Sequence, residues 1–153
     1  MASCAKTLKR VTRELGMNDP AIICDNVNVN AVIPKIGILS FLCLGQICMM
    51  VKQLYVHEEI YDEFREKLMA FVGLLKVGDG TEADNLFESL SKEGLTPALC
   101  GNIQDSAGYF IHLTIVDNPP ESSRVVQEER FALILPMLRW SDEDNVITRA
   151  NDT

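Results

Sequence analysis

The stretch "VKQLYVHEEIYDEFREKLMAFVGLLKVGDG", residues 51–80, carries two periodicities in succession. "VKQLYVH" (51–57) is rich in β-branched and aromatic residues and reads as a strand. After it, Tyr61, Phe64, Leu68, Phe71, Val72 and Leu75 recur at helical spacing. Glu58 and Glu59 favour the start of that helix, and Lys76 with Gly78 marks its stop. A strand that feeds directly into a helix is the building unit of a parallel sheet, and the rest of the chain repeats it. "RVTREL" (10–15) and "AIICD" (21–25) read as short strands. "NVNVNAVIPKIGILSFLCLG" (26–45) reads as a helix capped by Asn26 or Asn28, beginning or bending at Pro34. A weaker helix is expected at 82–94, and "TPALCG" and "GYFIHLTIVDN" read as strands. "NPPESSR" (118–124) is a loop. "ALILPMLRW" (132–140) reads as a strand whose Pro136 implies an edge or a bulge. Ser141-x-x-Asp144 has capping-box spacing before a last helix. The fold class expected is α/β, one domain over residues 1–153, with a largely parallel sheet flanked by helices.

Composition narrows the function. The net charge of −8 argues against a nucleic-acid partner, which needs clustered Lys and Arg, and against acidic membrane surfaces. The five cysteines form no CxxC pair, and no His stands at zinc-ligand spacing from two of them. Free thiols and a reducing, cytoplasmic compartment are the natural reading. The N-terminus lacks the apolar core of a signal peptide, although its scattered basic residues faintly resemble a transit peptide. Residues 36–51 are uncharged, with Lys35 and Lys52 at their ends. A spanning helix needs about 20 apolar residues, and Gly37, Ser40, Gly45 and Gln46 dilute this shorter run. A buried helix is expected instead, with no membrane contact.

Three places have chemical potential. Cys48 follows Gly45-Gln46 inside that apolar run; a thiol becomes a nucleophile when its thiolate is stabilised or a base stands near. Free cysteine is also among the most buried residue types, so Cys4, Cys24, Cys43 and Cys100 are read as core, and Cys48 stays open between the two roles. Glu14, expected at a strand end before Gly16, is a candidate general base or a solvated acid. "QEERF" (127–131) offers carboxylates for a ribose hydroxyl, or is a solvated turn. His57 and His112 have no local carboxylate partner and are read as structural; Phe110 and Trp140 are read as core or rim aromatics.

Glu14-Leu15-Gly16, Gly45-Gln46-Ile47-Cys48 and Glu128-Glu129-Arg130-Phe131 stand in the order found in the aldehyde dehydrogenase superfamily. "NDPAIICD", "QLYVHEEIYDEFREKL", "LKVGDG" and "WSDEDNVITRAND" are similar to that family too, so the resemblance covers nearly the whole chain. It implies that Cys48 attacks an aldehyde to give a thiohemiacetal and, after hydride transfer to NAD or NADP, a thioester. It implies that Glu14 activates the water that hydrolyses the thioester. Glu129 would hold the nicotinamide ribose, with Phe131 beside it. The apolar stretch would be a buried helix delivering the thiol to the floor of a tunnel. The chain also departs from the pattern: Met17 stands in place of the second Gly of the ELGG motif, Cys43 in place of Asn, Ala132-Leu133 in place of Gly-Pro, and Arg130 in place of a small or apolar residue. A block is shortened between Gly80 and Leu86. The family's Rossmann-type dinucleotide domain and its closing strand and arm have no counterpart in these residues, and no Gly-x-Gly-x-x-Gly occurs. The expectation is a truncated catalytic-domain segment with impaired NAD binding and dehydrogenase activity. Two alternatives accompany it: a cofactor-independent enzyme doing thiol acyl chemistry on a carbonyl compound, or a scaffold that self-associates or docks a partner chain through an uncovered apolar face. A gene remnant is the bland reading.

Overall fold

A computed structural model of the chain describes residues 1–75, 97–99 and 111–152. The helix expected at 82–94, the shortened block near Gly80, Cys100 and Phe110 lie outside the described residues. In chain order the elements are a short helix α1 (Ala2–Ala5), β1 (Pro20–Ile23), α2 (Val29–Phe41), a 3-10 turn (Leu42–Gly45), β2 (Gln53–His57) and α3 (Tyr61–Val72). There follow β3 (Pro97–Leu99), β4 (Thr114–Asp117), a single helical turn α4 (Arg124–Gln127), β5 (Ile134–Trp140) and α5 (Glu143–Ala150). The five strands form one sheet in the order β1-β2-β5-β4-β3. β1, β2, β5 and β4 are mutually parallel, and β3 pairs antiparallel with β4.

Strand alternation sends side chains to two covered faces. Leu54 and Val56 of β2, with Leu133, Leu135 and Met137, pack against α2 and α3. Tyr55, between them in sequence, joins Ile134, Leu138 and Trp140 on the opposite face, under Val125, Val126 and Val146. Residues buried on both faces explain why β2 and β5 read as near-continuous apolar runs. Tyr61, Phe64, Leu68 and Val72 of α3 are buried. Each such side chain contributes about 1.5–3 kcal/mol of burial energy. The hydroxyl of Tyr61 donates to Asp117 Oδ1 at 2.5 Å, with the Met137 carbonyl oxygen 3.0 Å away as the alternative acceptor. Arg65 donates to the other Asp117 oxygen at 2.8 Å, so α3 is tied to β4 and β5 by a small polar network.

Several expectations are corrected. Residues 10–15 form no strand: the chain from 9 to 19 runs without regular structure, since no neighbour in the described sheet pairs with it. Pro34 neither starts nor ends α2; the helix begins at Val29, where the Asn28 side chain caps the Ala31 amide, and carries Pro34 inside. Pro136 lies on a central strand, not an edge. The carbonyls of Leu133 and Met137 accept from β4, so the even-numbered backbone groups of β5 face β2. The β2–β5 register begins only at Leu54↔Met137, one residue past Pro136, so the missing N–H falls where that ladder has not yet started. The cap of α5 is Asp142, whose side chain accepts from the Asn145 amide at 2.7 Å, not Ser141. Among the described residues no helix is long and apolar enough to cross a membrane.

Candidate functional site

Each of the three motifs precedes a strand, and the three strands are neighbours. Glu14-Leu15-Gly16 precedes β1, Gly45-Gln46-Ile47-Cys48 precedes β2, and Glu128-Glu129-Arg130-Phe131 precedes β5. The parallel order β1-β2-β5 therefore gathers them at the amino-terminal ends of adjacent strands. Contacts confirm the convergence. A Cβ built on Gly16 would stand 3.1 Å from Glu129 Oε2, and one on Gly45 2.9 Å from the Ala132 carbonyl carbon. The first motif thus touches the third, and the second passes against the backbone just after it.

The turn that carries the thiol is built by three successive left-handed residues: Cys43 (φ 52°), Leu44 (φ 61°) and Gly45 (φ 71°). Only glycine adopts that region without a steric cost, so the non-glycine pair stores strain that the surrounding contacts must offset. The apolar stretch is accordingly not one buried helix. α2 ends at Phe41, the left-handed turn reverses the chain, and Cys48 stands exposed on the loop into β2. Ile38, Leu39 and Leu42 are exposed as well. Cys24 and Cys43 are exposed and Cys4 is half-buried, against the expectation that they fill the core. All four described cysteines are free thiols.

Lys52 ties the site together, and sequence reading took it only for the flank of an apolar run. It is 3% exposed. Its ammonium donates to the Gly45 carbonyl at 2.5 Å and lies 4.6 Å from the centre of the Phe131 ring, a cation–π distance. Burial lowers its pKa, as does Arg130; Glu129, Asp19 and Cys48 pull it back up. Asp19 is pushed up by its own burial and by Glu129, with Lys52 opposing. Two carboxylates, a thiol and an ammonium therefore share one electrostatic neighbourhood. Glu129 and Phe131 are exposed beside it, and Glu14, two residues before Gly16, is exposed as well.

Beneath them Arg130 is buried, at 3% exposure, where its guanidinium donates to the Val125 and Glu128 carbonyls. Its Nε and Nη2 have no protein partner. Burial pushes its pKa down to about 9, with Tyr55 opposing. Asn18 and Gln53 both donate to the Val126 carbonyl, at 2.7 and 2.6 Å, and pin the strand entrances to α4. Of these groups only Gln53 lies on a strand, where a polar residue in a buried run is a signal; Asn18, Lys52 and Arg130 lie on the segments leading into β1, β2 and β5, where local pattern gives none.

A dinucleotide fits here in part. An exposed carboxylate that Gly16 leaves room for, beside the exposed ring of Phe131, suits ribose hydroxyls and a flat nicotinamide. No glycine-rich cradle for its phosphates occurs in the sequence.

The arrangement defines an α/β domain with a thiol and several carboxylates at one end of a parallel sheet. The pattern of the aldehyde dehydrogenase family matches residues 1–153. A probable aldehyde dehydrogenase of a Pseudomonas species is 37% identical over 165 residues, which cover 97% of this chain and 34% of that protein. The NADP-dependent succinate-semialdehyde dehydrogenase of Escherichia coli K12 is 32% identical, over 100% of this chain and 35% of its own length. An Escherichia coli NADP-dependent enzyme of known crystal structure superposes with a TM-score of 0.88 at 30% identity, over 99% of this chain and 35% of its own. The chain belongs to the aldehyde dehydrogenase family. It spans about a third of the length of the curated relatives it matches.

Proposed function

We propose that the site works as a thiol–carboxylate centre on small aldehydes or related carbonyl compounds, with Cys48 as nucleophile and Glu14 as base. The observation that supports this reading is the gathering of the motifs at the entrances of β1, β2 and β5: Gly16 lies against Glu129, Gly45 against Ala132, and Lys52 bridges the Gly45 turn to Phe131. The Cys48 sulfur adds to the carbonyl carbon and the oxygen takes the developing charge; an activated ester then expels its alkoxide to leave an acyl thioester, whereas an aldehyde adduct would reach the thioester only with NAD or NADP bound to accept its hydride. Glu14 removes a proton from the water that later attacks the acyl thioester, releasing the acid and the thiol. Glu129 would hold the ribose hydroxyls of a bound NAD or NADP, with Phe131 beside it. When bound, NAD or NADP supplies the acceptor for hydride. Glu129 and Phe131 would hold the nicotinamide end of that molecule, and the same Cys48 thioester chemistry would serve acyl transfer from an activated ester.

The test is hydrolysis of an activated ester such as p-nitrophenyl acetate, beside oxidation of succinate semialdehyde with NAD and with NADP. Ester hydrolysis lost in Cys48→Ala, and burst formation retained with slowed turnover in Glu14→Gln, is the expected pattern. Equal rates in wild type and Cys48→Ala refute the reading.

A further inference from the structure

At the opposite end of β2 stands a cluster that the family site does not use. Asp25 follows β1 by two residues, His57 ends β2, and Glu59 lies in the turn into α3. The parallel register, with Ile23 opposite Val56, sets the two strand ends side by side. One ligand atom from each of the three side chains lies within 4.8 Å of the others. We infer that Asp25, His57 and Glu59 form a binding site for a divalent first-row transition metal such as Zn²⁺ or Co²⁺.

Three observations carry the inference. The imidazole is held in place: the His57 ring meets Trp140 edge-on at 4.7 Å and 86°, and Trp140 Nε1 donates to the Ile23 carbonyl at 3.1 Å. The ring that orients the histidine is thus anchored on the strand that delivers Asp25. The two carboxylates have no protein cation: neither Asp25 nor Glu59 takes part in an ion pair among the described residues. Two like charges this close are unfavourable until a cation enters between them. The donor set is one nitrogen and two oxygens, which suits borderline divalent metals better than the all-oxygen preference of Mg²⁺ or Ca²⁺ or the sulfur preference of Cu(I). Water completes the coordination.

Metal–ligand bonds of about 2.0–2.2 Å require the three atoms to close in. Asp25 and Glu59 are exposed and can swing inward without disturbing the core. His57 Nδ1 now accepts a long contact, 3.4 Å, from the Glu59 amide. A metal at Nδ1 displaces that contact, and a metal at Nε2 moves the ring proton to Nδ1. Gln53, where the candidate thiol site sits, and His57 are four residues apart on β2, about 13 Å of strand. The metal therefore clamps the carboxyl ends of β1 and β2 and takes no part in thiol chemistry. Those ends are where open α/β sheets carry ligands.

The experiment is a Co²⁺ titration of the full chain carrying Cys24→Ser, which removes the thiol next to Asp25, followed by visible absorption and thermal unfolding. The expected result is saturable one-to-one binding with nitrogen–oxygen ligand-field bands, no thiolate charge-transfer band, and a higher Tm. His57→Gln and Asp25→Asn each weaken binding by about tenfold or more. Glu59→Gln, in an exposed turn, does the same should either of those variants fail to fold. In the NMR spectrum the His57 ring signals shift with Co²⁺ while those of His112 do not. No saturable binding, binding unchanged by all three substitutions, or a charge-transfer band that reports cysteine ligation would overturn the proposal.

Discussion

Replacing Gly45 by alanine tests whether the thiol-bearing turn is held as described. Gly45 has φ +71°, where a Cβ costs about 1–2 kcal/mol. The added carbon would also stand 2.9 Å from the Ala132 carbonyl carbon and closer to its oxygen. Backbone at the entrance of β5 gives way only by moving the strand, which adds about 1–3 kcal/mol. The expected loss is about 2–5 kcal/mol, a large share of the roughly 5–15 kcal/mol of a typical domain. Gly16→Ala is the internal control. It has a similar φ of +74°, but its Cβ meets only the end of the Glu129 side chain at 3.1 Å, which can rotate away. It should lose only the conformational part, about 1–2 kcal/mol. Urea unfolding at equal m-values measures both. A difference of about 1–3 kcal/mol between the variants is expected. Equal losses would refute the packing of the turn against Ala132, and with it the convergence of the second and third motifs.

Further outcomes follow from the buried charges. Arg130→Met removes two unpartnered buried N–H groups together with the donor to the Val125 and Glu128 carbonyls, so gain and loss offset and stability in urea unfolding should shift by no more than about 1 kcal/mol; a loss of several kcal/mol would show that Nε and Nη2 are satisfied. Lys52→Met removes the cation that opposes the upward shift of Asp19, so the Asp19 carboxyl, followed by carbon-13 NMR, should titrate at higher pH than in wild type; an unchanged midpoint would place Lys52 elsewhere. Burial pushes Tyr55 up to about 12 and, with the Asp117 hydrogen bond, Tyr61 higher still. Both phenols keep their protons in the native state while the unfolded chain loses them above about pH 10. Their contribution is therefore intact below pH 10 and falls as pH rises towards 12. Tyrosinate absorbance from these two residues should appear with unfolding rather than near pH 10; a rise in native protein at pH 10 larger than one of the three tyrosines can supply would contradict their burial.

The sequence alone determined the local structure wherever a side-chain pattern is strong and self-consistent. Tyr61, Phe64, Leu68 and Val72 specify α3 and its buried face, and the strand-like segment 51–57, with Leu54, Tyr55 and Val56 at its centre, specifies β2. Resemblance across the three motifs specified the family, because Cys48, Glu14 and Glu129 each stand within a recognisable local pattern. What pattern could not give are the properties that depend on neighbours remote in sequence. Residues 10–15 have strand-like composition, but a strand needs a partner, and the described sheet offers none. Pro136 reads as an edge signal, yet whether its absent N–H matters depends on where the β2 ladder begins. The apolar run 36–51 reads as continuous, but Gly45 against Ala132 and Lys52 against Gly45 turn it back at Phe41 and expose Cys48. Lys52 and Arg130 look like surface charges one at a time; the strand order β1-β2-β5 buries both and makes them part of the site. Asp25, His57 and Glu59 lie up to 34 positions apart (59 − 25) and have no shared motif; the register of two parallel strands alone brings them together. Periodicity is a property of one segment, and charge, strain and ligation are properties of the contacts between segments.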